Sequence, residues 1–270
     1  MSLLEVRMME IRVTLSEPSS VKREGDKWIL SFDELGIWEF SEDDIPIFER
    51  LYELGWKPSD EFLETMCKEL PVEFVLRHES RERVVDTLRR LLRRNDYDTV
   101  RKFGSVLTPE DREAMVREKI EEKRRNDRWF LVDYDMVVPL VQTFPEVFRK
   151  IPLPEEFVDE LLRDLGRWQK WVKCPVSFGY ETRNAGWFRR ALETAKKLKE
   201  LGVLPEAVER RVEEVARQIC GVLVRRLTSP RIEYENKDIY AEVAKSLLPF
   251  ADDGMRARIL SALLEMGNGE

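Results

Sequence analysis

The side chains that could carry out chemistry are few and scattered. The single histidine, His78, sits between Arg77 and Glu79 in a polar stretch. A general base needs a reacting partner within hydrogen-bond reach, and no partner motif surrounds it. There is no Gly-rich phosphate loop, nucleophile elbow or His-rich zinc spacing. The three cysteines, Cys67, Cys174 and Cys220, are odd in number and far apart. They fit a reducing cytoplasm better than a disulfide framework, and no pair has metal-ligand spacing. The expectation is therefore no catalytic residue, no metal and no cofactor.

Two Asp-Tyr-Asp triplets, Asp96–Asp98 and Asp133–Asp135, bring carboxylates together. Paired carboxylates can hold a hard cation through oxygen. Each triplet also precedes a helical pattern, where an Asp oxygen caps free N–H groups, and capping is the preferred reading. Arg89, Arg90, Arg93 and Arg94 form the densest basic cluster. At a spacing of four they share helix faces away from the apolar stripe. A solvated helix end competes with an anion or nucleic-acid contact as the reading of this cluster.

The least ordinary stretch is 168–187, where Trp168, Trp171, Phe178, Tyr180 and Trp187 cluster around a non-helical insert at 173–183. Arg183 is the only cation in its turn. Trp, Tyr and Arg are enriched in binding hot spots, so Trp171, Tyr180, Arg183 and Trp187 are candidate contact residues. The competing reading has these rings plug a gap between helices. Trp171 falls one step off the stripe continued by Trp168 and Val172, which predicts that it is partly exposed.

These residues must be positioned by helices, with strands confined to the N-terminal part. Met9, Ile11, Val13 and Leu15 alternate with polar residues and predict a half-buried strand over 9–15. A polar loop over 17–26, a strand with Trp28, Leu30 and Phe32, a turn at 33–36 and a strand at 37–40 predict a small antiparallel meander. From Ser41 onward the period becomes that of a helix. Val84, Val85, Leu88, Leu91 and Leu92 form one stripe. Phe157, Val158, Leu161, Leu162 and Leu165, continued to Trp168 and Val172, form another. Val208, Val212, Val215, Ala216, Ile219 and Leu223 form a third. The expected domains are 1–40, a β ribbon packed on the helices, and 41–270, the helical part.

Helix starts recur along the chain. Pro58, Pro109, Pro154 and Pro205 each precede an acidic residue, at separations of 51, 45 and 51 residues. Proline suits the first helical position, and acidic residues suit the positive end of the helix dipole. Asp252-Asp253-Gly254 continues the series without proline. Between these lie starts marked by Asp96, Asp133, Asn184 and Asn236, with aligned apolar positions Val100, Val137, Phe188 and Tyr240. A unit of roughly 50 residues holding two helices is a solenoid signature, because one pair cannot bury its own stripe.

One unit resembles a HEAT repeat. Asp96-Tyr97-Asp98-Thr99-Val100-Arg101 is followed by Gly104 and Leu107. This is similar to that family's second helix, which opens with Asp, then Val-Arg, then a small residue four positions past the Val. The other units depart from the pattern: Ala241 stands for the Arg and Leu192 for the small residue. The resemblance implies a curved, non-catalytic binding array in which Gly104 is the point of close helix approach. It implies a mainly α fold, a right-handed α-solenoid of about five helix pairs carrying the N-terminal ribbon.

Composition limits the function classes. Charged residues make up 37% of the chain, against about 25% in an average protein, and Asn and Gln are scarce, which fits a protein that works hot. No apolar run approaches the roughly 18 residues of a membrane span, and no leader is visible, so a soluble cytoplasmic protein is expected. A net charge of −7 argues against general nucleic-acid binding without excluding one basic face. The leading expectation is a non-enzymatic scaffold that binds another protein. The alternatives are a nucleic-acid binder with an arginine-lined face and an enzyme with an unrecognised acidic site.

Overall fold

A computed structural model describes residues 13–15, 20–24, 27–31, 35–37, 45–53, 55–173, 176–177, 180–181, 183–229 and 234–267. The protein is mainly α-helical. The chain forms two compact units, Met1–Met115 and Val116–Glu270.

In the first unit, β1 (Val13–Leu15) pairs antiparallel with β4 (Leu35–Ile37), and β2 (Ser20–Glu24) with β3 (Lys27–Ser31). The expected loop over 17–26 is thus half strand. Glu24 lies opposite Lys27, which leaves Gly25-Asp26 as a two-residue connection. Gly-Asp between two extended runs is a hairpin signal. The outer strands pair with each other around this hairpin, so the expected meander is not the pairing found. The packing of 1–40 on the helices lies outside the described residues.

The helices of this unit are α1 (Ile45–Glu53), α2 (Asp60–Glu69), α3 (Val72–His78), α4 (Arg81–Arg93) and α5 (Tyr97–Lys102). Ser59 caps α2 and Ser80 caps α4, each hydroxyl accepting from a backbone N–H three residues on. The stripe of α4 is wholly buried. The helix stops at Asn95, whose φ of 65° is the left-handed conformation that Asn tolerates. Asp96 N–H then reaches Leu91 O and Asn95 N–H reaches Leu92 O, which satisfies the last carbonyls. The end of α2 is closed differently: the Lys102 ammonium donates to the carbonyls of Cys67, Lys68 and Leu70 at 3.1, 2.9 and 2.7 Å. Gly104–Val106 is a short 3-10 turn after α5.

Next comes α6 (Pro109–Asn126). The second unit continues with a 3-10 turn at Arg128–Leu131, then α7 (Tyr134–Thr143), α8 (Pro145–Phe148), α9 (Glu155–Leu165) and α10 (Trp168–Lys173). A two-residue strand pair follows, β5 (Val176–Ser177) with β6 (Tyr180–Glu181). The chain then forms α11 (Arg183–Glu200), α12 (Glu206–Thr228), α13 (Tyr234–Leu247) and α14 (Asp253–Gly267). The stripe of α12 is buried along its length and packs against α9, α13 and α14. Gly202, at φ 69°, ends α11 as Asn95 ends α4.

The proline series marks true helix starts: Pro109 opens α6, while Pro154 and Pro205 are the residues before α9 and α12. Val100, Val137, Phe188 and Tyr240 are all buried. Asn184 and Asn236 fall inside α11 and α13 rather than before them.

Candidate interaction surfaces

Both Asp-Tyr-Asp triplets are helix caps. Asp96 Oδ1 accepts from Thr99 N–H at 3.2 Å, and Asp133 Oδ1 accepts from Asp135 N–H at 2.9 Å. The middle tyrosines, Tyr97 and Tyr134, turn into the core. Burial alone would push the Asp96 carboxyl up, but hydrogen bonds from Thr99 and Lys68 outweigh it and hold the group below its ordinary range. Among the described residues no group of three His, Cys, Asp or Glu could hold a metal ion.

The lone histidine belongs to an aromatic cluster. His78 stacks on Tyr52 with ring centres 4.3 Å apart and packs against Phe74 at 4.8 Å. The Tyr52 hydroxyl donates to Glu79 at 2.7 Å. Cys67 and Cys220 are buried thiols, and burial pushes Cys67 up to about 12, which keeps it protonated and unreactive.

The arginine cluster lies on and just past the last turns of α4 and is largely engaged with α2. Arg90 Nε reaches Glu64 at 3.0 Å and its Nη1 reaches Asp60 at 3.2 Å. Arg94 Nη1 takes the other Glu64 oxygen at 2.5 Å. Glu64 is only 4% exposed, so these two cations neutralise a buried carboxylate. Arg89 is paired with Asp86 at 3.1 Å, and Arg93 also has a partner. The signal for this pairing was in the sequence: Asp60 and Glu64 are four apart, on one face of the neighbouring helix.

In the second unit, Trp171 is not a surface residue. It is 0% exposed, and its ring lies 5.4 Å from that of Phe188 and 5.5 Å from that of Tyr240. The expectation of partial exposure assumed one continuous helical period from Phe157 to Val172. Instead α9 ends at Leu165 and α10 begins at Trp168, so the turn at Gly166-Arg167 resets the phase. Trp168 and Val172 are half-exposed in place of Trp171. Tyr180 lies on β6 and Arg183 opens α11; their side chains lie outside the described residues.

Trp187 on α11 is half-buried between cations. The guanidinium carbons of Arg190 and Arg167 lie 5.5 and 6.0 Å from its ring centre. Arg190 is held by Asp135 at 2.6 Å, and Arg167 Nε lies 2.9 Å from Asp164. The Tyr134 hydroxyl donates to the second Asp164 oxygen at 2.8 Å. Asp164 is fully buried, and burial raises its carboxyl above the ordinary value, only partly offset by Tyr134 and Arg167. The Asp164 oxygen facing Arg167 is paired by charge but accepts no hydrogen bond among the described residues.

Two further features were not singled out in the sequence. One is Trp129, 82% exposed in the turn before α7. The other is an open groove of about 550 Å³ along 148–159 and 202–205. Its floor holds Phe148, Leu153 and Val203, all buried; Val158 and Leu204 are half-exposed. Arg149, Lys150, Glu155 and Asp159 put both charge signs on its lining. The prolines that begin α9 and α12 place both helix starts there. An adjoining groove of about 470 Å³ shares Ile151, Pro152, Leu153 and Glu155 and is lined on its other side by Arg117, Ile120 and Arg124.

No helix among the described residues is long and apolar enough to cross a membrane. Neither a family model, nor a curated protein, nor a solved structure matches the chain.

Proposed function

We propose that the chain is a non-enzymatic helical-repeat scaffold that holds a segment of another protein, working in the cytoplasm. The observation that carries this reading is the groove between the starts of α9 and α12. It offers buried apolar residues at its floor and both charge signs in its lining. That combination suits a peptide segment with apolar anchors and mixed charges better than a small reacting substrate. The two Leu-Pro-Glu starts beside it, Leu153–Glu155 and Leu204–Glu206, belong to the recurring helix series. The reading therefore includes the HEAT-like interpretation: helix pairs stacked as a right-handed α-solenoid, with residues 1–40 as a β ribbon against it.

The arginines of α4 favour this reading over a nucleic-acid face there, because Arg90 and Arg94 already neutralise Glu64. The acidic-site alternative loses Asp96 and Asp133 to capping.

The test is a capture experiment from native cells, run on lysate with and without nuclease treatment. The parent is compared with a Val158→Glu, Leu204→Glu double variant of unchanged melting temperature. A protein retained by the parent and lost by the variant supports the groove. Equal retention by both, or retention that disappears on nuclease treatment, would sink it.

A further inference from the structure

We propose that Trp129 and the basic end of α6 form a stacking platform for single-stranded nucleic acid, separate from the groove assigned above. Trp129 is 82% exposed, the most open large apolar side chain among the described residues. Its backbone is fixed. Phe130 N–H bonds Asp127 O, and Trp129 O accepts from both Val132 and Asp133 N–H at 3.2 and 3.1 Å. On the inner side of the turn, Phe130 and Leu131 are buried. The ammonium groups of Lys119 and Lys123 each lie 5.1 Å from the Phe130 ring centre. The indole is thus presented outward from an anchored turn, and the ordering cost of holding it there is already met in the free protein.

The surroundings select the ligand class. An apolar hot spot for a protein partner sits within a wider apolar patch. Trp129 instead follows the run Lys123-Arg124-Arg125-Asn126-Asp127-Arg128, which has four cations to one anion. Three of those cations, Lys123, Arg124 and Arg125, occupy the last turn of α6. Arg124 is held by Glu156 at 2.8 Å and Lys123 lies 3.9 Å from Asp127. Among the described residues Arg125 donates only through its Nε, to the Glu121 carbonyl, and it is exposed. Its remaining N–H groups are available to a phosphate. An open ring that follows a cationic run in the chain offers a face on which a base can stack while the backbone is neutralised, and it tolerates any base because every base has a π-face.

The experiment is fluorescence anisotropy with labelled dT and rU oligonucleotides of roughly 20 residues at low salt, compared with a matched duplex and an acidic peptide of equal charge. The expected result is single-strand binding that weakens steeply with salt. Trp129→Ala should lower affinity about fivefold or more, with Trp129→Phe restoring most of it. Arg125→Glu, at an exposed position, should weaken binding as well and flatten the salt dependence. No single-strand binding at low salt, an unchanged affinity in both Trp129→Ala and Arg125→Glu, or preference for the acidic peptide would each overturn the proposal.

Discussion

Tyr134 at the start of α7 donates its hydroxyl to Asp164 near the end of α9 at 2.8 Å, and Asp164 has no exposure to solvent. Burial raises the carboxyl above its ordinary value of 3.8, and the tyrosine bond and Arg167 recover only part of the cost. A carboxyl with a raised folded-state value binds its proton more tightly when folded than when unfolded. Its ionisation therefore weakens the fold above that value, and the loss is recovered as pH falls through it.

Asp164→Asn keeps an acceptor for Tyr134 and removes the charge. Its melting temperature relative to the parent should be highest near neutral pH and should fall as the parent becomes protonated, on the way down to about pH 4. A difference that stays constant across this range would show that Asp164 does not titrate as its burial dictates.

Trp171→Ala should destabilise strongly, by about 3–5 kcal/mol, because it removes a fully buried ring from its contacts with Phe188 and Tyr240. Denaturant midpoints at constant slope measure this. A shift near zero would return Trp171 to the surface.

Glu64→Gln should cost about 1–3 kcal/mol, because the buried carboxylate holds Arg90 and Arg94. The cost is less than for a wholly buried pair, since both arginines have a path to water. Arg94→Gln, with its side chain 65% exposed, should cost less than about 1 kcal/mol. Equal costs for the two variants would contradict this ordering.

Gly104→Ala should change stability by no more than about 0.5 kcal/mol in either direction. The HEAT resemblance makes Gly104 a point of tight helix approach, yet a Cβ built there meets nothing within 4 Å. The residue also lies beyond the end of α5, in the 3-10 turn. A large loss of melting temperature would restore the close approach.

Regular features were legible from the sequence for a simple reason. The stripes of α4 and α12 bury uninterrupted faces, so period alone locates them. Prolines and Asp caps act on the backbone within a turn, so Pro154, Pro205, Asp96 and Asp133 could be read locally. Trp171 could not, because the break at Gly166-Arg167 changes the phase and no proline announces it. The state of the α4 arginines depended on a carboxylate 26 residues away from Arg90 in the chain. The Ser20–Glu24 strand was hidden by its polar residues, which break the apolar alternation that reveals a strand. The exposure of Trp129 was not legible, because a single tryptophan between helices has no periodic pattern that assigns it to core or surface.

Lys102 closes the end of α2 from more than thirty residues away, through the carbonyls of Cys67, Lys68 and Leu70. Helix ends ordinarily fray on their own, with little free-energy cost. Here the last turn of α2 cannot open without releasing the ammonium at the end of α5. The amides of Met66–Leu70 and of Val100–Phe103 should then exchange with solvent as one cooperative unit. Replacing Lys102 with Met would split that unit, leaving the α2 end to exchange fast and alone.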